Sequence, residues 1–163
     1  MLLQRYPIVT LCGSLKFWGE VLNANAMLAL KDIISIPSGF SIRHIDQFPV
    51  VSQYVQEYPV ATKKRLDALH LQKIIASSAI WVLNKNDYIG DSTKREIQFA
   101  REIKRFIFTI EECQYCEDNS IKYEVVPLNI NHDFPDYLYE LISYSGDDIE
   151  AIYSRFVNNI SGD

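Results

Sequence analysis

The run at residues 84–96 (NKNDYIGDSTKRE) places Gly90, Asp91, Ser92 and Thr93 at a helix start and Glu96 in the first turn. Glu96, Ala100 and Ile103 then follow at i, i+4 and i+7, so the carboxylate falls at the end of the apolar stripe rather than on the wet face. A carboxylate so placed can act as a nucleophile, and the positive end of the helix dipole favours its ionised form. A plainer pattern fits the same residues: Thr93-x-x-Glu96 matches a capping box, in which the glutamate only satisfies backbone donors. Spacing alone leaves both open.

Two further segments carry polar groups at similar places. In Cys12-Gly13-Ser14-Leu15-Lys16 the glycine lets backbone approach a ligand, and the helix expected to follow offers unpaired N–H groups that suit a phosphate. The alternative is that Gly13 and Ser14 only turn the chain and cap that helix. The segment is neither G-x-G-x-x-G nor a Walker A motif, which disfavours NAD and ATP sites. In residues 67–73 (DALHLQK), His70 lies four residues from Leu66 and from Ile74, on the apolar face. It is either a hydrogen-bonded core histidine or an acid for a ligand, while Asp67 and Lys73 are expected on a solvated face.

The elements that must position these groups alternate. Residues 6–12 (YPIVTLC), 32–36 (DIISI), 79–83 (AIWVL) and 105–110 (RFIFTI) read as strands, with 122–127 (KYEVVP) as a fifth. Helical spacing predicts helices over 15–31, 61–77 and 93–104, with terminal helices over 137–144 and 149–160. Residues 37–59 read as a long loop or as a loop hiding a short helix near 50–57. The expectation is one α/β domain over 1–163, doubly wound and flavodoxin- or Rossmann-like, with a mainly parallel sheet covered by helices on both faces. Ligands bind such sheets outside the carboxyl ends of the strands, where all three segments fall.

Composition narrows the classes. With 163 residues, 16 Lys+Arg against 21 Asp+Glu give a net charge of −5, which argues against a grip on a nucleic acid polymer. At 48% hydrophobic and 12% aromatic the chain is too apolar for disorder. No run approaches the roughly 18 apolar residues of a membrane span, and no signal peptide is evident. Three cysteines make no disulfide framework, so a cytoplasmic location is expected. Cys113-x-x-Cys116 has no second pair to complete a zinc site and no thioredoxin-like start, so neither metal nor cofactor is expected.

Taken together, I-V-T-L-C-G-S at 8–14, L-D-x-L-H-x-x-K-I at 66–74 and Y-I-G-D-S-T-x-x-E-I at 88–97 resemble the nucleoside 2-deoxyribosyltransferase superfamily, closest to its phage and bacterial branch and related to its 2′-deoxynucleoside 5′-phosphate N-hydrolases. The resemblance covers about residues 6 to 110 and is most specific over 90–97. It implies that Glu96 attacks the anomeric carbon of a small-molecule deoxynucleoside or nucleotide and holds the sugar as an ester. Another base or water then takes the sugar, giving a transferase or an N-glycosidase. It further implies that Gly13 and Ser14 line the sugar or 5′-phosphate pocket, and that Ser92 contacts the 5′ side, with Gly90, Asp91 and Tyr88 completing the substrate-binding set. His70 stands where the family carries an aspartate near the departing base, and a histidine can protonate a leaving purine. Leu11-Cys12 stands where the family has Tyr or Phe. Family members assemble as homo-oligomers whose neighbours complete the site. The alternative reading is a nucleotide-sensing module that kept the pocket without turnover.

The remaining candidates are aromatic. Phe40, Phe48, Tyr54, Tyr58 and Tyr88 either stack on a base as a lid or fill the core, and Arg43, His44 and Asp46 offer polar tips. An amphipathic C-terminal segment, acidic at Asp147, Asp148 and Glu150 and apolar at Ile149, Ile152, Tyr153, Phe156 and Ile160, docks on its own core or on a second subunit.

Overall fold

The β-branched and aromatic runs between turn residues become five parallel strands in the computed structural model, which describes residues 6–37, 48–117, 121–140 and 148–160. These are β1 (Ile8–Cys12), β2 (Ile34–Ile36), β3 (Ala79–Val82), β4 (Phe106–Thr109) and β5 (Tyr123–Val125), arranged β2-β1-β3-β4-β5. This is the doubly wound, flavodoxin-like order, and its connections reverse direction between β1 and β3. Register pairs Thr10 with Ile80 and Ile80 with Ile107, which brings the carboxyl ends of the three central strands level.

Among the described residues there are five α-helices, α1 (Trp18–Leu30), α2 (Pro49–Glu57), α3 (Pro59–Ile75), α4 (Asp91–Glu102) and α5 (Ile149–Asn158). Alternation along the strands builds two cores. Val9, Leu11, Trp81 and Phe108 pack with α1 and with Phe134 and Leu138 on one face. Cys12, Ile80, Val82 and Ile107 pack with α3, α4 and α5 on the other. Burial on both sides is why the strands read as continuous apolar runs.

One open alternative is decided and two expected elements differ. Within 37–59 the hidden-helix alternative holds as α2, and Pro59, at the first turn of α3, prevents α2 and α3 from fusing. The first helix begins at Trp18, after a 3-10 turn over Leu15–Phe17. The segment expected as a helix over 137–144 forms a 3-10 turn, Asp136–Tyr139, and residues 141–144 lie outside the described residues. Phe40, Arg43, His44, Asp46 and Asp147 also lie outside them.

The C-terminal helix docks on its own core. Phe156 and Tyr153 of α5 pack edge-on against Phe99 at ring-centroid distances of 5.2 and 6.4 Å, and the Tyr153 hydroxyl donates to the Ala68 carbonyl. Among the described residues no helix is long and apolar enough to cross a membrane.

Candidate active site at the carboxyl edge of the sheet

The reversal between β1 and β3 opens a crevice whose floor is set by close backbone packing. A Cβ on Gly13 would stand 3.1 Å from Leu83 Cβ and 3.3 Å from the Leu83 carbonyl oxygen, so only glycine lets the loop after β1 press against the loop after β3. Ser14 Oγ accepts from the Lys16 N–H and so caps the 3-10 turn. That turn separates Gly13-Ser14 from the start of α1, so the N–H groups that directly follow the glycine belong to the 3-10 turn rather than to α1.

Asn84 holds the other side of the crevice. Its amide donates to the Glu111 carbonyl at 2.9 Å, and its oxygen accepts from the Ile110 and Glu111 N–H groups at 3.0 and 3.1 Å. The carboxyl ends of β3 and β4 are thereby tied together. Farther along the same loop, Tyr88 packs edge-on to Phe17, and Lys16 Nζ sits 3.2 Å from the Tyr88 ring centroid. The two loops are thus clasped over their shared floor.

α4 starts earlier than a capping box requires. Gly90 is its N-cap, the Lys94 N–H donates to the Gly90 carbonyl, and no side chain caps the first turn. Thr93 therefore lies inside the helix and Glu96 in its second turn, where no orphan donors remain. The capping role for Glu96 is excluded. Buried Thr93, Ile97 and Ala100 turn this stretch of α4 inward and carry Glu96 with them.

His70 comes from α3, which is fastened over β1 by the Thr10 hydroxyl donating to the Lys73 carbonyl at 3.0 Å. Its Nε2 lies 3.7 Å from Glu96 Oε1 and 3.6 Å from Cys12 Sγ, while Glu96 Oε2 is buried without a partner. Burial, reinforced by Asp67, pushes the Glu96 carboxyl from its ordinary 4.5 up to about 8, against opposing effects of Cys12 and Arg95. Burial, reinforced by Lys73, lowers His70 from 6.5 to about 4, against Asp67 and the Leu11 backbone. The Cys12 thiol is raised by burial and by Glu96. All three groups are neutral at pH 7, so the His70–Glu96 contact is not an ion pair at rest.

This corrects the expectation that the helix dipole keeps Glu96 ionised. The dipole contributes about 0.3–1 kcal/mol and fades within the first turn, whereas a rise from 4.5 to about 8 corresponds to about 5 kcal/mol net, with burial its largest cause. Burial wins.

A cavity of about 600 Å³ opens over this floor and brings together every predicted site residue: Gly13, Ser14, His70, Tyr88, Gly90, Asp91, Ser92 and Glu96. Its opposite wall is apolar, built from Val55, Pro59, Leu66 and Leu69 of α2 and α3. Lid and core-filling readings of the aromatics divide here. Phe48 is 56% and Tyr54 45% exposed, so these rings do not fill the core.

Three participants were missed in the sequence. Cys12 was visible only as the last residue of β1. Asn84 gave no signal beyond its place after a strand. Asp67 was assigned to a solvated face, but it lines the cavity and bonds Lys63 Nζ at 3.0 Å and Arg95 Nη1 at 3.3 Å. The i, i+4 spacing of Lys63 and Asp67 was a usable sign. Cys113 and Cys116 stand apart from the trio as a buried pair with sulfurs 2.8 Å apart, in which Cys116 lowers the Cys113 thiol to about 7.

Fold and site together define an α/β domain with a paired glutamate and histidine at the switch point of a parallel sheet. No protein-family model, no curated protein and no solved structure matches the chain.

Proposed function

We propose that the protein cleaves or exchanges the N-glycosidic bond of a 2′-deoxynucleoside or its 5′-monophosphate, with Glu96 as nucleophile and His70 as acid and base. The observation that carries this reading is the placement of Glu96. It serves no cap and leaves one oxygen unpartnered at the floor of a nucleoside-sized cavity, with a histidine nitrogen 3.7 Å from the other. The resemblance of the 8–14, 66–74 and 88–97 segments to the deoxyribosyltransferase superfamily supports the same assignment.

The steps balance within the pair. Glu96 passes its proton to His70 Nε2, which creates the carboxylate and the imidazolium together. The carboxylate attacks the anomeric carbon as the C–N bond breaks, and the departing base takes the proton from His70. Water or a second base then attacks the glycosyl ester and gives its proton to neutral His70, releasing the Glu96 carboxylate, and the proton returns to it. The uncapped N–H groups of Asp91, Ser92 and Thr93 and the Ser14 and Ser92 hydroxyls suit the 5′ side of the sugar or its phosphate. The wall of Val55, Leu66 and Leu69 suits the base.

A non-catalytic nucleotide-sensing pocket is the second reading, favoured by the burial that pushes the Glu96 carboxyl up to about 8 and so away from the ionised form a nucleophile needs. Assembly as a homo-oligomer belongs to the proposal and is supported by Val50 and Val60, large apolar side chains exposed on α2 and α3. Light scattering after size exclusion tests it. The functional test is free-base release from deoxynucleosides and their 5′-monophosphates, with and without an acceptor base, in chelator, for wild type and Glu96→Ala. Release confined to the wild type supports the reaction, and saturable binding without release supports the sensor.

A further inference from the structure

Cys12, His70 and Glu96 converge from β1, α3 and α4, and one donor atom from each, sulfur, nitrogen and oxygen, lies within 4.8 Å of the other two. Tetrahedral Zn²⁺ with bonds of about 2.3 Å to sulfur and about 2.0–2.2 Å to nitrogen and oxygen separates its ligand atoms by roughly 3.4–3.6 Å. The distances from His70 Nε2, 3.6 Å to Cys12 Sγ and 3.7 Å to Glu96 Oε1, are close to those edges. Along these two edges an ion needs only a few tenths of an ångström of contraction, and the third, from Cys12 to Glu96, is within 4.8 Å.

A further feature points the same way. The Glu96 carboxyl carries a buried oxygen, Oε2, with no hydrogen-bond partner, so no such bond has to break for the carboxylate to turn toward an ion.

We propose that Cys12, His70 and Glu96 form a Zn²⁺ site with three protein ligands and a fourth position open to the cavity. On ligation the Cys12 thiol and the Glu96 carboxyl release their protons to solvent, and the fourth position takes water or an oxygen or nitrogen donor of a ligand. The inference does not rest on the glycosidic reading. The two are exclusive at any moment, because an ion bound to His70 Nε2 takes the lone pair that the glycosidic reaction needs for its proton transfers. The zinc-loaded protein is therefore the inhibited form of the enzyme proposed above.

The test is metal binding itself. Chelator-treated protein is titrated with Zn²⁺ against a chromophoric competitor and, separately, with Co²⁺ as a spectroscopic probe. Cys12→Ser, His70→Gln and Glu96→Gln are compared with a Cys113→Ser/Cys116→Ser double variant, and circular dichroism confirms folding of each. The expected result is one equivalent bound, a thiolate-to-cobalt charge-transfer band, at least tenfold weaker binding in each single variant (about the lower bound for disturbing a metal site) and unchanged binding in the double variant. The absence of stoichiometric binding, or binding that survives Cys12→Ser and disappears with the Cys113/Cys116 pair, would overturn it. Base release without zinc binding removes this inference alone, and zinc binding without base release removes only the glycosidic reading.

Discussion

His70 and Glu96 face each other across the seam between α3 and α4, with Nε2 3.7 Å from Oε1, because an ion pair one helical turn away holds that seam closed. Asp67, three residues before His70, bonds Arg95, the neighbour of Glu96, at 3.3 Å. The pair holds one proton in its resting state, on the carboxyl, and that proton is what the proposed chemistry moves.

Replacing the nucleophile separates catalysis from stability. Glu96→Gln is expected to lower base release by at least about 10³-fold. The same change is expected to raise stability at pH 7 by about 3 kcal/mol, because the neutral amide is spared the proton uptake that folding imposes on the raised carboxyl, and Glu96 caps nothing that could be lost. A loss of 0.5–2 kcal/mol in denaturant, about the value of a missing cap, would restore the capping role.

The raised carboxyl gives the folded state a proton that the unfolded chain gives up near pH 4.5, and the folded chain keeps it until about 8. Its stabilising contribution is full below 4.5 and is lost as pH rises through 8. In chelator, wild type is therefore expected to lose stability relative to Glu96→Gln between pH 5 and 8, by on the order of 4 kcal/mol. Taking the difference removes the opposite trend from His70, whose lowered value costs stability as pH falls from 6.5 through about 4. Urea unfolding of both proteins at several pH values checks this, and a constant difference contradicts it.

The strands and their order of use were legible because each was a short continuous apolar run closed by turn residues, and the crevice followed from where such sheets bind ligands. The mutual geometry of the trio was not legible. Cys12 and His70 are 58 residues apart, and their contact depends on how α3 crosses β1. The protonation state of Glu96 was read wrongly because periodicity locates a carboxylate on a buried face without saying how dry that face is. The capping box misled because Gly90, not Thr93, begins the helix.

His70→Gln removes the acid but leaves the nucleophile. The rate is expected to fall by about 10²–10⁴-fold for bases that need protonation to depart, and far less for a nucleoside whose base leaves unassisted. An equal loss on both substrates, in steady-state kinetics, would reassign His70 to positioning.

Asn84 supports the site without entering the chemistry. Asn84→Ala strands the Ile110 and Glu111 N–H groups and the Glu111 carbonyl at the ends of β3 and β4, and it is expected to cost on the order of 3 kcal/mol. Guanidinium unfolding measures this, and a change below about 1 kcal/mol would show that water replaces the side chain.

The central claim is a covalent bond between sugar and Glu96. The measurement is acid quenching of chelator-treated protein during turnover of a deoxynucleoside 5′-monophosphate, followed by peptide mass mapping. The account expects one deoxyribosyl phosphate unit on the peptide carrying Glu96, absent from Glu96→Gln. Base release that continues in Glu96→Gln, or an adduct on another residue, contradicts it.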